Sequence, residues 1–250
     1  MNYTEYDVKV LPPVFLALVI VAVLLGILLR KAPVKYRAIP TAVVAIVILF
    51  LEVIKQRWNI LGEFDTFSLP FHYCSLFIVM FAFAELCGKR MSKIFRPIAM
   101  CMAFIVSVGM YLFPYAIIGN ATEVFGQSFY RTHSFLYHHF VLFYLLLVIA
   151  LRLAKPTFRD AIKVGVVGMV YMAAAIPLAY ALETNYNNIL ENAVPFIDAF
   201  RQANGQVVYV VLLTVIVSVG TFLASCLYVG IEKGVLLLLK KCKEKRQKSK

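Results

Sequence analysis

Seven apolar runs, each long enough to cross a bilayer, constrain this chain more than any motif in it. They occupy residues 11–29, 38–54, 70–87, 94–118, 134–151, 161–182 and 207–231. A spanning helix takes roughly 20 apolar residues, and in lipid only helices or closed barrels satisfy the backbone. The runs lack the every-other-residue alternation of a barrel strand. The expected fold is therefore all-α: a polytopic, multi-pass bundle of seven transmembrane helices. Composition agrees, with 15% charged residues against about 25% in soluble domains. The first run follows Lys9 and has no small-x-small cleavage site, so it reads as a retained first helix. Pro12 and Pro13 are expected to open the first span, Pro70 the third, and Pro97 to sit in the first turn of the fourth.

The cations set the orientation. All but five of the 25 Lys and Arg residues fall after runs one, three, five and seven. The five exceptions are Lys9, Lys55, Arg57, Arg131 and Arg201. Basic loops lie in the cytoplasm, which puts the N-terminus outside and the C-terminus in the cytoplasm of a cell-membrane protein. Residues 1–239 form one transmembrane domain and 240–250 a basic cytoplasmic tail. The net charge of +12 is thus topological, with membrane lipids rather than nucleic acid as the expected partner.

The outer side is poor in cations but holds all four histidines. His72 stands near the start of span three; His133, His138 and His139 stand around the start of span five. Polar groups at this depth are costly and usually face a bundle interior. Cys74, in Ser68-Leu-Pro-Phe-His-Tyr-Cys-Ser75, is the one thiol in that layer. It lies near a helix N-terminus, a position that favours the thiolate. His72 is only two residues away and points elsewhere on one helix, so a span-five histidine would have to act as base. The same residue also reads as a small buried hydrophobe, the commoner role for a membrane cysteine.

No His-x-x-x-His pair exists. A zinc site from the histidines and Glu123 is the weaker reading, so no metal is expected. No Gly-rich phosphate loop, EF-hand or Cys-x-x-Cys pattern appears, and no cofactor is expected. Five scattered cysteines argue against a disulfide framework. Glu52 and Glu85, near span ends, are expected to snorkel to the interface.

Three short motifs carry a family resemblance: Leu69-Pro-Phe-His-Tyr-Cys-Ser75, the histidine-bearing start of span five, and Thr184-Asn-Tyr-Asn-Asn188. In that order they resemble the YwaF-type family of bacterial integral membrane proteins. That family in turn distantly resembles animal transmembrane cysteine-dependent acyltransferases of ether phospholipids. The resemblance implicates His72 and Cys74, His138 or else His133, and Asn185 with Tyr186. Ser75 stands where an acidic residue is frequent, and His139 where a small one is usual.

The function this implies is acyl transfer between lipids at the outer face. Cys74 is the nucleophile, and His138, His133 or His72 is its partner. Asn185, Tyr186 and Ser75 are the substrate-binding candidates. The rival class is a non-enzymatic transporter or ligand-binding protein with a His/Asn-lined outer cavity, and a third is a structural or assembly protein. Against transport stand the absence of an inverted repeat and the scarcity of mid-bilayer charge.

Overall fold

In the computed structural model, which describes residues 4–192 and 195–248, no strand occurs among the described residues. The helices are α1 (Glu5–Leu28), α2 (Val34–Arg37), α3 (Ile39–Leu61), α4 (Leu76–Glu85), α5 (Gly88–Leu112), α6 (Pro114–Ile118), α7 (Phe129–Ala150), α8 (Phe158–Ala181), α9 (Pro195–Asn204) and α10 (Gln206–Lys248). Seven segments are long and apolar enough to cross a membrane, the third being Thr66–Glu85, which includes two 3₁₀ turns before α4. The seven-helix expectation holds.

Boundaries moved where proline alone had set them. Thr4 caps α1 through a reciprocal pair with Asp7, so the helix starts nearly two turns earlier, at Glu5, and carries Pro12 and Pro13 inside it. Pro97 lies in the interior of α5, which begins at Gly88. Pro70 precedes the third helix by more than a turn, because residues 62–75 form a folded loop. The backbone of α10 runs on past position 240, so the tail continues a helix.

More than half of the spanning windows of α5 and α7 is buried, against 11% for α1 and α10. These two helices are the centre. The core they share with α3 and α4 includes Phe77, Phe81, Met102, Tyr144 and Leu147. Close approach of α8 to α10 depends on glycine. A Cβ at Gly165 would meet Phe222 Cβ and the Ser218 carbonyl oxygen, each at 3.1 Å, as in small-residue membrane interfaces. Gly165→Leu should therefore part the two helices and lower the unfolding temperature in detergent, while Gly220→Leu, with open space around it, should not.

One buried network corrects the sequence reading. The Glu85 side chain is 1% exposed rather than snorkelled. Arg96 donates to both carboxylate oxygens, Nε at 2.8 Å and Nη2 at 2.7 Å. Tyr144 and Thr41 hydroxyls complete its shell at 2.7 and 2.8 Å. Four helices, α3, α4, α5 and α7, are thereby joined through one carboxylate.

At the histidine-bearing end, α9 is tied to the loop before it by a polar cluster. Asp198 accepts from Arg201 Nε and Nη2 at 2.7 and 3.2 Å and from the Asn192 amide at 3.0 Å. The Arg201 bonds, then the Asn192 bond, hold its carboxyl well below the usual carboxylate range. A carboxyl depressed in the fold gives its contribution above its unfolded value and loses it only as pH falls through the lowered one. Protease resistance of this loop should therefore stay constant from about pH 8 to about pH 5. A loss across that window would contradict the pairing.

Candidate functional site

The third span does not enter the membrane as plain helix. Asp65 caps the 3₁₀ turn Thr66–Ser68, accepting from the Phe67 amide at 2.9 Å. Asn59, fully buried on α3, fastens Asp65 by two backbone bonds of 2.9 and 3.0 Å. A second 3₁₀ turn, Tyr73–Ser75, then leads into α4. Cys74 sits in this turn, half-buried, immediately ahead of the helix N-terminus.

The loop after α8 closes over these turns. Tyr186, fully buried, donates to the Thr66 carbonyl, and Thr66 and Thr184 hydroxyls meet at 2.6 Å. The Asn187 carboxamide oxygen accepts from the Tyr73 amide at 3.0 Å, and Tyr171 donates to the Phe71 carbonyl at 2.8 Å. Asn187 and Asn188 carry positive φ of 50° and 61°, a conformation asparagine tolerates better than most residues. Asn185 turns inward on its own loop: its oxygen accepts from the Leu190 amide at 3.0 Å and its nitrogen donates to the Glu191 carbonyl at 3.1 Å. The Asn-Tyr-Asn motif is thus a clasp between two loops.

His72 belongs to the same clasp. Its Nε2 donates to the Phe67 carbonyl at 2.9 Å, and its ring stands edge-on between Phe67 and Tyr186, 4.5 and 5.2 Å away.

The three histidines of α7 diverge. At 100° per residue, His138 lies about 140° around the helix from His133, and His139 a further 100°. His139 bonds the Phe135 carbonyl at 2.7 Å and faces Tyr111 on α5, with ring centres 6.5 Å apart. His138 Nδ1 is bonded to the Ser134 carbonyl at 2.8 Å. His133 is buried beside the Leu51 carbonyl, and among the described residues its Nε2, like that of His139, makes no hydrogen bond. Tyr137 links this helix to the thiol's backbone. Its hydroxyl donates to the Cys74 carbonyl at 2.9 Å, while its ring stacks on His133 at 5.7 Å and meets His138 edge-on at 5.5 Å. Tyr137 lies about 40° from His133 and 100° from His138 around the helix, so His133 shares more closely the side that meets Cys74.

The sequence reading missed the charges beside this layer. Lys55 and Glu52 form an ion pair of 2.9 Å, their side chains only 13% and 9% exposed. Glu52 is buried and paired rather than snorkelled. Gln56 donates to Glu52 at 2.7 Å and to the Ser68 carbonyl at 2.8 Å. Lys55 lies within electrostatic reach of Cys74, His72, His133 and His138, and Glu52 of Cys74, His72 and Tyr137. The signal was there: Glu-x-x-Lys-Gln at helical spacing just past an apolar run. Among the described residues, no group of three or more His, Cys, Asp or Glu side chains has the arrangement of a metal site.

No curated protein and no solved structure matches the chain. The sequence profile of one transmembrane family does match it, over residues 6–225, from the first turn of α1 into α10. With the seven apolar helices, that match identifies the chain as a multi-pass membrane protein of the TMEM164 family.

Proposed function

We propose that this protein is an acyltransferase of membrane lipids working at the outer face of the cell membrane, with Cys74 as nucleophile and His133 as base. One observation supports the reading most. Among the described residues, the one thiol at the histidine-bearing end lies in a 3₁₀ turn at a helix N-terminus, bound through Tyr137 to the helix that carries a buried histidine whose Nε2 makes no hydrogen bond. A position at a helix N-terminus is one that reactive thiols use. The resemblance to YwaF-type proteins and, beyond them, to cysteine-dependent phospholipid acyltransferases points the same way.

In the first step His133 takes the thiol proton, and the thiolate attacks the carbonyl carbon of a lipid ester. The sulfur–carbon bond forms, the carbon–oxygen bond breaks, and the departing alkoxide takes the proton from the imidazolium. In the second step an acceptor lipid hydroxyl gives its proton to His133 and attacks the thioester, and the thiolate leaves. Because the Asn185 amide is spent on its own loop, backbone amides at the start of α4 are the better candidates for stabilising the oxyanion. His138 and His72 then support the layer rather than move the proton.

The test uses purified protein in mixed micelles with a panel of phospholipids carrying one labelled acyl chain and unlabelled lysolipid acceptors. Transfer of label should occur in the wild type and in Cys226→Ala, and be absent in Cys74→Ala. Undiminished transfer by Cys74→Ala would end the covalent reading. Orientation is tested separately. A single cysteine at Asn120 should react with an impermeant maleimide in intact cells, and one at Lys155 only after permeabilisation; the reverse would move the site to the cytoplasmic face.

A further inference from the structure

Between α3 and α4 a groove of about 630 Å3 opens sideways, toward the space the bilayer fills. Leu49 and Val53 from α3 and Ile78 from α4 line it, with Glu52, Gln56 and Arg57 as its polar members. At 1.5 Å per residue, Leu49 lies roughly 12 Å deeper along α3 than Arg57. Trp58, next to Arg57, is exposed and stacks on Phe129 at 5.1 Å. Such aromatics mark the headgroup level of a membrane, so the groove runs from headgroup depth inward.

The charges at the groove and beside it are not equivalent. Lys55 is consumed by Glu52, and Gln56 by Glu52 and Ser68. Arg57 is exposed at the groove and, among the described residues, is paired with no carboxylate. A guanidinium in that position suits a phosphate oxygen. Cys74 precedes Ile78 by four residues, about one turn, and Glu52, midway along the groove, lies with its partner Lys55 within electrostatic reach of Cys74.

We infer that this groove is the lateral binding site for one phosphate-bearing lipid of the adjoining leaflet, with an acyl chain along Leu49, Val53 and Ile78 and its phosphate on Arg57. A lipid held this way carries its ester linkage past the level of Cys74. The inference rests on the acyl-transfer reading only for what becomes of the lipid, so binding is measured apart from turnover.

Native mass spectrometry of the purified protein, and of Cys74→Ala, after exchange with micelles tests it. The micelles hold phosphatidylglycerol, phosphatidylcholine or diacylglycerol with identical chains. One phospholipid per protein should be retained, with diacylglycerol retained about tenfold less, the change expected for roughly one lost charged hydrogen bond. Arg57→Gln should erase that preference. Val53→Trp, at an exposed position, should exclude both lipids, whereas Val79→Trp, exposed on α4 but outside the groove, should exclude neither. Millimolar inorganic phosphate should not displace the lipid. Unchanged retention in both Arg57→Gln and Val53→Trp would overturn the site, and displacement by phosphate alone would overturn a lipid as occupant. A Cys74 thioester forming unaltered in those two variants would sink the groove and spare acyl transfer. Lipid retention with no thioester would do the opposite.

Discussion

His133→Ala should slow formation of the Cys74 acyl-enzyme by about 10²–10⁴-fold, the usual cost of removing a general base, while His138→Ala should slow it only a few-fold. The contrast follows from geometry. His133 lies about 40° from Tyr137 around α7, and Tyr137 is the residue whose hydroxyl holds the Cys74 carbonyl. Among the described residues His133 Nε2 makes no hydrogen bond, and the Leu51 carbonyl lies beside the ring. His138 donates its Nδ1–H to the Ser134 carbonyl, which leaves Nε2 as its basic nitrogen, so position alone sets it apart: it lies about 100° from Tyr137 and about 140° from His133 around the helix. The measurement is a single-turnover time course with labelled phospholipid. Equal loss in both variants would mean that the two rings act as one polar network. Loss confined to His138→Ala would return that residue to the role of base. Tyr137→Phe separates positioning from proton transfer: it should slow the step modestly and leave its pH dependence unchanged.

The second large effect is on stability. Glu85→Ala or Arg96→Ala leaves one buried charge without its counterion, in a site where the partner side chain is 9% exposed or less. Breaking such a pair from one side costs about 3–5 kcal/mol, enough to unfold many proteins. Thermal unfolding in detergent, followed by loss of the monodisperse peak in size exclusion, should show both variants collapsing well before the wild type. Glu85→Leu combined with Arg96→Met should recover much of the loss, because burying two apolar groups avoids the desolvation that the pair had to offset. If either single variant matched the wild type, the carboxylate joining α3, α4, α5 and α7 would not be holding the bundle together.

The bundle was legible because lipid leaves so few alternatives. Runs of about 20 apolar residues are read directly as spans, and all seven recur as helices or helix-and-turn segments. What misled was proline. Pro12, Pro13 and Pro97 sit inside helices, because in a membrane neighbouring helices re-satisfy the freed backbone groups. The Thr4–Asp7 capping box was the better marker of where α1 begins.

The site was legible by residue type and less so by role. Cys74 was singled out by an expected place in the first two turns of a helix and as the one thiol in the histidine layer; the structure puts it instead in a 3₁₀ turn ahead of that helix. The histidine layer, however, is three divergent positions on one helix and a fourth locked into a loop, and only a helical wheel separates them. Asn185 and Tyr186 looked like ligand groups, yet each spends its polar atoms on loop closure. Such long-range partners, Thr66 with Tyr186 or Tyr73 with Asn187, cannot be read from spacing. Lys55 was counted as an orientation charge, although its i,i+3 spacing from Glu52 already pointed to a pair.

The central claim is that Cys74 carries an acyl group, and intact-mass spectrometry tests it most directly. Purified protein incubated with a phospholipid panel and no acceptor should gain the mass of one acyl chain, mapped to Cys74 and removed by neutral hydroxylamine. Cys74→Ala should gain nothing, and Cys226→Ala should gain the full mass. An adduct on another cysteine, or full lipid remodelling with no adduct in the wild type and equal activity in Cys74→Ala, would contradict the account.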